Sequence, residues 1–309
     1  MSVTEHVANV LRPWRDDRRF AIDGVAAPVV VGCSGGADSA ALLALAADAG
    51  LAPVAVYVDH GLRPASGDDA TRVRAIAAAL GADTEVVRVD VASGGNLEAR
   101  ARTARHDALE RARCYVGASV VMLGHTQDDQ AETVLLNLLR GSGSAGLGGM
   151  ASRRDTFVRP LLGLRRADTH AICAALEFDV ALDPMNDDPA FRRVVIRRDV
   201  LPLLSSVAAR DLVPVLARQS DVLREESQFL DRVAAAAWPA EHGTDVASLC
   251  GMDPVLARRA VRQWLGAPPP SHAEVQRVLD VARGRARATE LAGGRCVRRS
   301  GGRLFAEAR

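Results

Sequence analysis

Hydrophobic and polar positions alternate between two patterns along the first two thirds of the chain. Short runs of β-branched residues predict buried strands, and each run is followed by a longer stretch with helical periodicity. This alternation is typical of an α/β domain in which helices cover both faces of a doubly wound, mostly parallel sheet. The predicted strands span residues 28–33, 53–58, 85–91, 119–123 and 180–182, with a short segment at 158–162. The predicted helices span residues 38–48, 68–80, 96–113, 126–140 and 165–177.

After Pro202 the pattern changes to long amphipathic stretches. These predict helices at residues 208–237, 254–265 and 271–282, the last of them capped by Ser271. Short strand-like segments separated by glycine turns follow at residues 289–291, 295–299 and 303–306. The sequence therefore predicts two domains, an α/β domain at residues 1–205 and a second, mainly helical domain at residues 206–309 that ends in short strands.

The composition is that of an ordinary folded chain, with 48% hydrophobic and 25% charged residues. No apolar run approaches the roughly 20 residues of a membrane span, and the N-terminal segment has no apolar core of a secretory signal. The five cysteines are at least 46 residues apart, so they form no CxxC metal or redox pair. We therefore expect a cytoplasmic protein without a membrane partner.

All 39 basic residues are arginines, and the chain contains no lysine. This excludes a Walker A loop, a Schiff-base enzyme and a lysine general base. Residues 277–309 carry nine arginines and three acidic residues, a net charge of +6. Such a surface suits a polyanion such as nucleic acid, although a solvated arginine-rich tail would have the same composition.

The strongest chemical motif lies between the first predicted strand and the first predicted helix. Consecutive glycines allow backbone N–H groups to approach a phosphate, and the helix N-terminus adds its positive dipole. The hydroxyl and carboxylate groups of the motif lie where a phosphate or its magnesium would bind. The motif comprises Ser34, Gly35, Gly36, Ala37, Asp38 and Ser39. The alternative is a plain glycine turn in which Asp38 only caps the helix.

Two other glycine-containing motifs must be considered, one that overlaps this loop and one further along the chain. Residues 32–36 also fit GxSxG, which would make Ser34 the nucleophile of an α/β-hydrolase. That fold places several strands before its nucleophile, whereas only 33 residues precede Ser34. Residues 141–146 spell GxGxxG but follow a helix instead of a strand, so they predict a loop.

The SGGxDS pattern resembles the signature of the PP-loop ATP pyrophosphatases, which cleave ATP between the α and β phosphates. Further motifs look like those of one family within this group, the tRNA(Ile)-lysidine synthetases, and their order and spacing match over residues 28–204. These motifs are VDHGLR at 58–63, NLEARARTARH at 96–106, GHTQDDQAET at 124–133, LRGSG at 139–143, RPLL at 159–162 and DPMND at 183–187.

The resemblance implies an ATP-dependent ligase. Its reaction joins free L-lysine to C2 of the wobble cytidine in the CAU anticodon of isoleucine tRNA, through an adenylated cytidine, with AMP and pyrophosphate as products. ATP and Mg²⁺ are the implied cofactors, and a homodimer is possible. Two alternatives stay open: another PP-loop tRNA modifier such as a thiolase, which would need a cysteine cluster, or a non-catalytic module that binds ATP or RNA.

Candidate site residues follow from the motifs and the resemblance together. The catalytic candidates are Asp38, which is also the candidate metal ligand, Asp128, Asp129 and Glu132. Besides the loop at residues 34–39, the expected nucleotide contacts are Asp59, His60 and His125. The expected substrate contacts are Asp129, Glu132, Arg102, Arg105, Arg193 and Arg197.

Spacing supports two of these assignments. Asp129 and Glu132 are three residues apart and share a helix face, where a carboxylate pair could hold the ammonium of lysine. Arg102 and Arg105 have the same spacing and could contact phosphates. The alternatives are acidic residues that complement a helix dipole and arginines that are merely solvated.

The chain departs from the family pattern at two places. His106 replaces the usual tyrosine, and the pair Val194 and Val195 replaces polar residues of an RNRIR run. If that run contacts a ligand, its role carries over only to Arg193 and Arg197.

Overall fold

The computed structural model describes residues 3–61, 66–90, 97–181, 191–238 and 245–308. The chain divides into two compact units, Met1–Asp221 and Val222–Arg309. The first unit extends beyond residue 205 because Leu201 and Val213 pack against Ala131 and Leu135 of the α/β part. The predicted domain boundary at residue 205 therefore falls within the first unit.

The first unit is built on a six-stranded sheet with the strand order β3-β2-β1-β4-β6-β5. Only β5 is antiparallel to its neighbour, so the predicted parallel character is confirmed. The strands are β1 (Val29–Cys33), β2 (Pro53–Asp59), β3 (Asp83–Arg88), β4 (Val121–Leu123), β5 (Arg153–Arg154) and β6 (Phe157–Val158).

The strand predicted at residues 180–182 is wrong. Val180 and Ala181 have no strand pairing, and Leu182 lies outside the described residues. The backbone N–H of Ala181 instead donates to the carbonyl of Gly35 at 2.9 Å, so this segment braces the loop after β1. The sixth place in the sheet is taken by β5, which pairs with β6 as a hairpin.

Alternate residues of the central strands enter two separate cores. Val29 and Val31 pack with α1 (Val3–Arg15), α2 (Ala37–Asp48), α3 (Ser66–Ala79) and α7 (Arg166–Ala175), whereas Val30 packs with α4 (Leu97–Val116). Helices therefore cover both faces, and the doubly wound architecture is confirmed. The connections reverse direction between β1 and β4, and ligands of such sheets bind beyond the carboxyl ends of the strands at this point.

The remaining helices of the first unit follow β4. These are α5 (Gln127–Leu139), α6 (Ser144–Leu147), α8 (Arg192–Val195), a π-helical turn (Ile196–Val200) and α9 (Leu201–Val207). Helix α10 (Val213–Ala237) leads into the second unit. The sequence placed its start at residue 208, but the side chains of Ser205 and Asp211 accept backbone N–H groups of Leu212 and Val213 and form a turn there.

In its described residues, the second unit combines the C-terminal part of α10 and three further helices with a three-stranded antiparallel sheet of order β7-β8-β9. Ser271 and Glu274 form a reciprocal capping box at the start of α13, so the predicted cap is confirmed. The elements are α11 (Val246–Gly251), α12 (Pro254–Leu265), α13 (His272–Ala282), β7 (Ala288–Leu291), β8 (Arg295–Ser300) and β9 (Arg303–Ala308). In the described part of the chain, no helix is long and apolar enough to cross a membrane.

Candidate active site

The loop of residues 34–39 connects β1 to α2 and is shaped by its own polar groups. Gly35 has a φ of +85°, a conformation that side chains disfavour. The backbone N–H of Ser34 donates to Ser39 Oγ at 3.1 Å, and Ser39 Oγ donates to the carbonyl of Gly36 at 2.9 Å. No side chain caps the N-terminus of α2, so its first N–H groups are left for an anion.

The turn after β4 lies directly against this loop. A Cβ atom on Gly124 would be 2.9 Å from the carbonyl oxygen of Asp38, so only glycine permits the approach. The same turn leads to His125 and to α5, whose N-cap is Thr126. The phosphate loop and the acidic motif, which are far apart in sequence, therefore meet at the reversal point of the sheet.

Asp38 is oriented by helix α7. The hydroxyl of Thr169, which is fully buried, donates to Asp38 Oδ1, and Arg166 Nε lies 3.8 Å from Asp38 Oδ2. Burial raises the pKa of Asp38, while the hydrogen bond from Thr169 opposes the shift. Among the described residues, no group of three or more histidine, cysteine or acidic side chains could hold a metal ion. One carboxylate beside a phosphate loop fits Mg²⁺, which is usually held by one or two carboxylates and substrate phosphates.

Asp128 is engaged with the start of α7. Its carboxylate accepts two hydrogen bonds from Arg165, at 3.0 and 3.1 Å, and one from the backbone N–H of Arg166 at 2.8 Å. Burial acts to raise the pKa of Asp128, but these hydrogen bonds outweigh it and hold that pKa below its usual value. The contacts give Asp128 a structural task, the docking of α7 on α5.

Asp129 and Glu132 lie together, and both face arginines. Asp129 Oδ2 accepts the N-cap hydrogen bonds of Thr126, while Asp129 Oδ1 is 3.0 Å from Arg166 Nη2. Glu132 is completely buried and contacts three guanidinium groups. Its nearest contacts are with Arg166 at 3.2 Å, Arg193 at 2.6 Å and Arg197 at 2.7 Å.

Arg193 and Arg197, which were predicted to contact substrate, are thus ion-pair partners of Glu132. Arg193 lies on α8 and Arg197 on the π-helical turn, so one wide turn of backbone presents both to the same carboxylate. Between them Val194 is 6% exposed and packs in the interior. The replacement of a polar family residue at position 194 therefore falls at a packing position.

Two predicted nucleotide contacts lie at the end of β2. Asp59 Oδ1 accepts the backbone N–H of Gly61 at 2.8 Å and shapes the turn there. His60 follows directly and is half-buried. Because β1 and β2 are parallel neighbours, this turn lies at the same edge of the sheet as the phosphate loop.

His125 lies among arginines instead of acidic residues. Burial holds its pKa well below the usual value, and the nearby charges of Arg159, Arg193, Arg105 and Arg102 lower it further. A neutral imidazole results, which can accept or donate a hydrogen bond without adding to the positive charge of the site.

Arg165, Arg166 and Thr169 also belong to the site, although no motif of the sequence predicted them. A signal for the two arginines was present, because positive charge at a helix N-terminus opposes the helix dipole unless carboxylates compensate it. No comparable signal marks Thr169, whose role depends on the packing of α7 against α2. The DPMND motif at residues 183–187 lies outside the described residues.

Comparison with known proteins assigns both parts of the chain. The PP-loop domain family matches residues 9–204, and the TilS substrate binding domain matches residues 245–305. The tRNA(Ile)-lysidine synthase of Mycolicibacterium paratuberculosis is 48% identical over 240 residues, which cover 76% of this chain and 73% of the relative. The chain belongs to the tRNA(Ile)-lysidine synthase family.

The tRNA(Ile)-lysidine synthase of Rhodococcus opacus is 44% identical over 290 residues, covering 89% of this chain and 88% of the relative. As a tRNA(Ile)-lysidine synthase family member, the chain is a ligase with a PP-loop ATP-binding domain and a tRNA substrate. This excludes the hydrolase interpretation of residues 32–36. The predicted resemblance is confirmed.

A solved structure shares the fold at lower similarity. The U34-tRNA thiolase NcsA from Methanococcus maripaludis has a TM-score of 0.56 and 18% identity, over 72% of this chain and 80% of the thiolase. At this level of identity, the likeness supports the fold of the chain and carries no information about its function.

Proposed function

We propose that the enzyme ligates free L-lysine to C2 of the wobble cytidine in the CAU anticodon of isoleucine tRNA. The cytidine C2 oxygen attacks the α-phosphorus of ATP and pyrophosphate leaves. The ε-amine of lysine then attacks C2, and AMP leaves with the former C2 oxygen. The observation that carries the proposal is the contact of the phosphate loop with the turn that precedes Asp129 and Glu132, in a chain 48% identical to a lysidine synthase.

The phosphate loop binds the β and γ phosphates of ATP in this proposal. The N–H groups at the start of α2 donate to phosphate oxygens, and Ser34 stands at the exposed edge of the loop. Asp38, which Thr169 orients through a hydrogen bond, would hold Mg²⁺ beside the loop. Bound Mg²⁺ would neutralise negative charge that develops on the leaving pyrophosphate.

The adenosine lies toward Asp59 and His60 in this proposal, because ligands of doubly wound sheets extend across the carboxyl ends of the strands. His125 lies between the nucleotide and the RNA substrate. The second unit holds the tRNA through its arginine-rich surface. Since the substrate is tRNA, we place the reaction in the cytoplasm; a homodimer stays a prediction.

The amine of lysine binds at Asp129 and Glu132 in this proposal. Arg166 Nη2 already bonds Asp129 Oδ1 at 3.0 Å and Glu132 Oε1 at 3.2 Å. An ammonium group that uses the same two oxygens must compete with this guanidinium. Lysine binding therefore requires Arg166 to move or to share its contacts, while Arg193 and Arg197 stay paired with Glu132 in either case.

The decisive experiment measures pyrophosphate release with purified enzyme, ATP and Mg²⁺. We expect release that requires a tRNA with a CAU anticodon, and lysidine in the product only when lysine is added. A tRNA whose wobble cytidine is replaced by uridine is the matched control. Pyrophosphate release that ignores the tRNA, or a thiolated product, would contradict the proposal.

A further inference from the structure

Three arginines whose charges act on His125 have no acidic partner among the residues that the structure describes. Arg102 and Arg105 lie one turn apart on α4, and Arg159 directly follows β6. Within the described parts of the chain, no carboxylate forms an ion pair with any of the three guanidinium groups. The contrast with Arg166, Arg193 and Arg197 is sharp, because those side chains converge on Glu132.

The fold fixes these side chains relative to one another. The ring of His106 packs on the ring of Phe157, with 4.6 Å between centroids, and Thr156 Oγ1 donates to Glu110 Oε2 at 2.8 Å. Both contacts join α4 to the start of β6. Because β6 is parallel to β4 and pairs with it, Arg159 and His125 leave the sheet at the same edge.

Arg159 is the most buried of the three arginines. It is 6% exposed, and Nη1 donates to the carbonyl of Ala151 at 2.9 Å. Its Nε is buried and has no hydrogen-bond partner within the described residues, and the same holds for Nδ1 of His125. Unsatisfied buried donors are rare and costly, most of all on a charged group. An anion that accepts from Arg159 would remove this cost.

Arg102 and Arg105 continue the group toward solvent. Arg102 is exposed and Arg105 is half-buried, so burial increases from Arg102 through Arg105 to Arg159. Burial lowers the pKa of Arg105, and the charge of Arg102 lowers it further. Burial likewise lowers the pKa of His106, and all three arginines add to that shift. The charges around these three arginines are thus almost entirely positive, as expected of an anion-binding site.

We propose that Arg102, Arg105 and Arg159 form a second phosphate-binding pocket, separate from the loop at residues 34–39. Guanidinium groups match phosphate oxygens through paired N–H donors, and a multiply charged or neighbouring pair of phosphates suits three uncompensated cations. The phosphate belongs either to the RNA backbone beside the wobble nucleotide or to the pyrophosphate part of ATP. This assignment of sources rests on the proposed function. Arg159 is the member of the pocket that was not among the site residues predicted from the sequence.

The test compares Arg159→Gln with Arg159→Lys in the full-length enzyme, without lysine, so that no turnover is needed. One arm titrates inorganic pyrophosphate and ATP by calorimetry, and the other measures tRNA binding by anisotropy at several salt concentrations. Arg153→Gln is the matched control, because Arg153 is exposed and lies close to Arg159 in sequence. Arg102→Gln is a second pocket variant at an exposed position, where loss of folding is not expected.

We expect Arg159→Gln to weaken one ligand by roughly 10-fold to 150-fold, the value of one charge-assisted contact, and Arg159→Lys to restore much of it. If only the affinity for pyrophosphate and ATP falls, the phosphate in the pocket belongs to the nucleotide. Loss confined to tRNA, with a salt slope smaller by about 0.7 to 0.9, identifies the RNA backbone. Changes below twofold for both ligands in Arg159→Gln and Arg102→Gln would overturn the pocket. Lysidine formation by the wild-type enzyme is measured separately, so failure of the proposed function is distinguishable from failure of the pocket.

Discussion

At the scale of single residues, the candidate site is organised by ion pairs between carboxylates and arginines. Glu132 shows this best, since a fully buried carboxylate is stable only when it is compensated, and Arg166, Arg193 and Arg197 supply the compensation. The sequence predicted Asp129 and Glu132 as a pair that awaits a cation. The structure adds that cations of the chain already contact the pair.

Glu132→Gln tests the proposed amine site. Removing the charge should raise the lysine concentration needed for half-maximal ligation by about 10-fold to 150-fold, the value of a charge-assisted contact. It should also destabilise the domain by about 1–3 kcal/mol, because three half-buried guanidinium groups lose their shared partner. Trapping labelled adenylate on tRNA should still succeed at saturating ATP. Loss of adenylation with unchanged lysine dependence would instead move Glu132 to the nucleotide site.

At the scale of elements, the close approach of two turns assembles the site. The turn after β4 can touch the loop after β1 only because residue 124 has no side chain. Helix α7 then fixes that loop from the other side, through Thr169 on Asp38 and Cys173 Sγ on the carbonyl of Ala37 at 3.4 Å. Neither contact follows from local sequence, since each depends on how a distant element packs.

Gly124→Ala should therefore lower ATP turnover. The added methyl group would lie 2.9 Å from the carbonyl oxygen of Asp38, and backbone must shift to relieve the contact. We expect at least a 10-fold loss in pyrophosphate release, with a smaller effect on the melting temperature. Gly143→Ala is the matched control, because nothing lies within 4 Å of a Cβ atom there. Equal activity of the two variants would show that the approach is not needed.

The cap of α13 predicts a pH dependence for the second unit. Hydrogen bonds from the backbone N–H of Ala292 and from Ser271 lower the pKa of Glu274 to about 2 from its usual 4.5. A carboxylate with a depressed pKa stabilises the folded state above its unfolded pKa, and this contribution is lost as pH falls from about 4.5 toward 2.

Thermal unfolding followed from pH 7 to pH 2 measures this contribution. Glu274→Gln should lower the stability at pH 7 by about 0.5–2 kcal/mol, the usual value of a helix cap, and should remove part of the acid dependence. Glu225→Gln, at an exposed position of α10, should behave as wild type. An acid transition that is unchanged in Glu274→Gln would refute the assignment.

At the scale of the whole molecule, charge is distributed according to the two units. The first unit compensates many of its arginines internally, whereas residues 277–309 keep a net charge of +6. Arg283, Arg285 and Arg287 are exposed between α13 and β7. A surface of this kind contacts phosphates without reading bases and makes binding dependent on salt.

Changing Arg283, Arg285 and Arg287 together to glutamine should weaken tRNA binding and flatten its salt dependence. Each lost phosphate contact lowers the slope of log affinity against log salt by about 0.7 to 0.9. Anisotropy titrations between 50 and 200 mM salt, about the range in which such contacts matter, measure the slope. The control changes Arg18, Arg74 and Arg111, which are exposed on the first unit. A larger effect in the control variant would place the main tRNA surface on the α/β domain.

Much of the fold follows from the sequence because its signals are local. Buried strands such as β1 and β2 appear as runs of β-branched residues, and α12 begins and ends where proline and glycine predict. The phosphate loop is equally local, since glycines and the following helix provide its N–H groups within six residues. The family, the sheet class and the cluster of chemical motifs were therefore determined by the sequence itself.

Only the tertiary structure decided how the charged side chains are paired. The strand predicted at residues 180–182 was wrong because the backbone N–H of Ala181 bonds to Gly35 instead of to a neighbouring strand. The local sequence pattern carries no information about this distant partner. Asp128 binds Arg165, Glu132 binds three arginines, and Arg159 binds no carboxylate among the described residues. Ion pairing depends on distance and burial in three dimensions, and residues separated by dozens of positions carry no mark of their partner in the sequence.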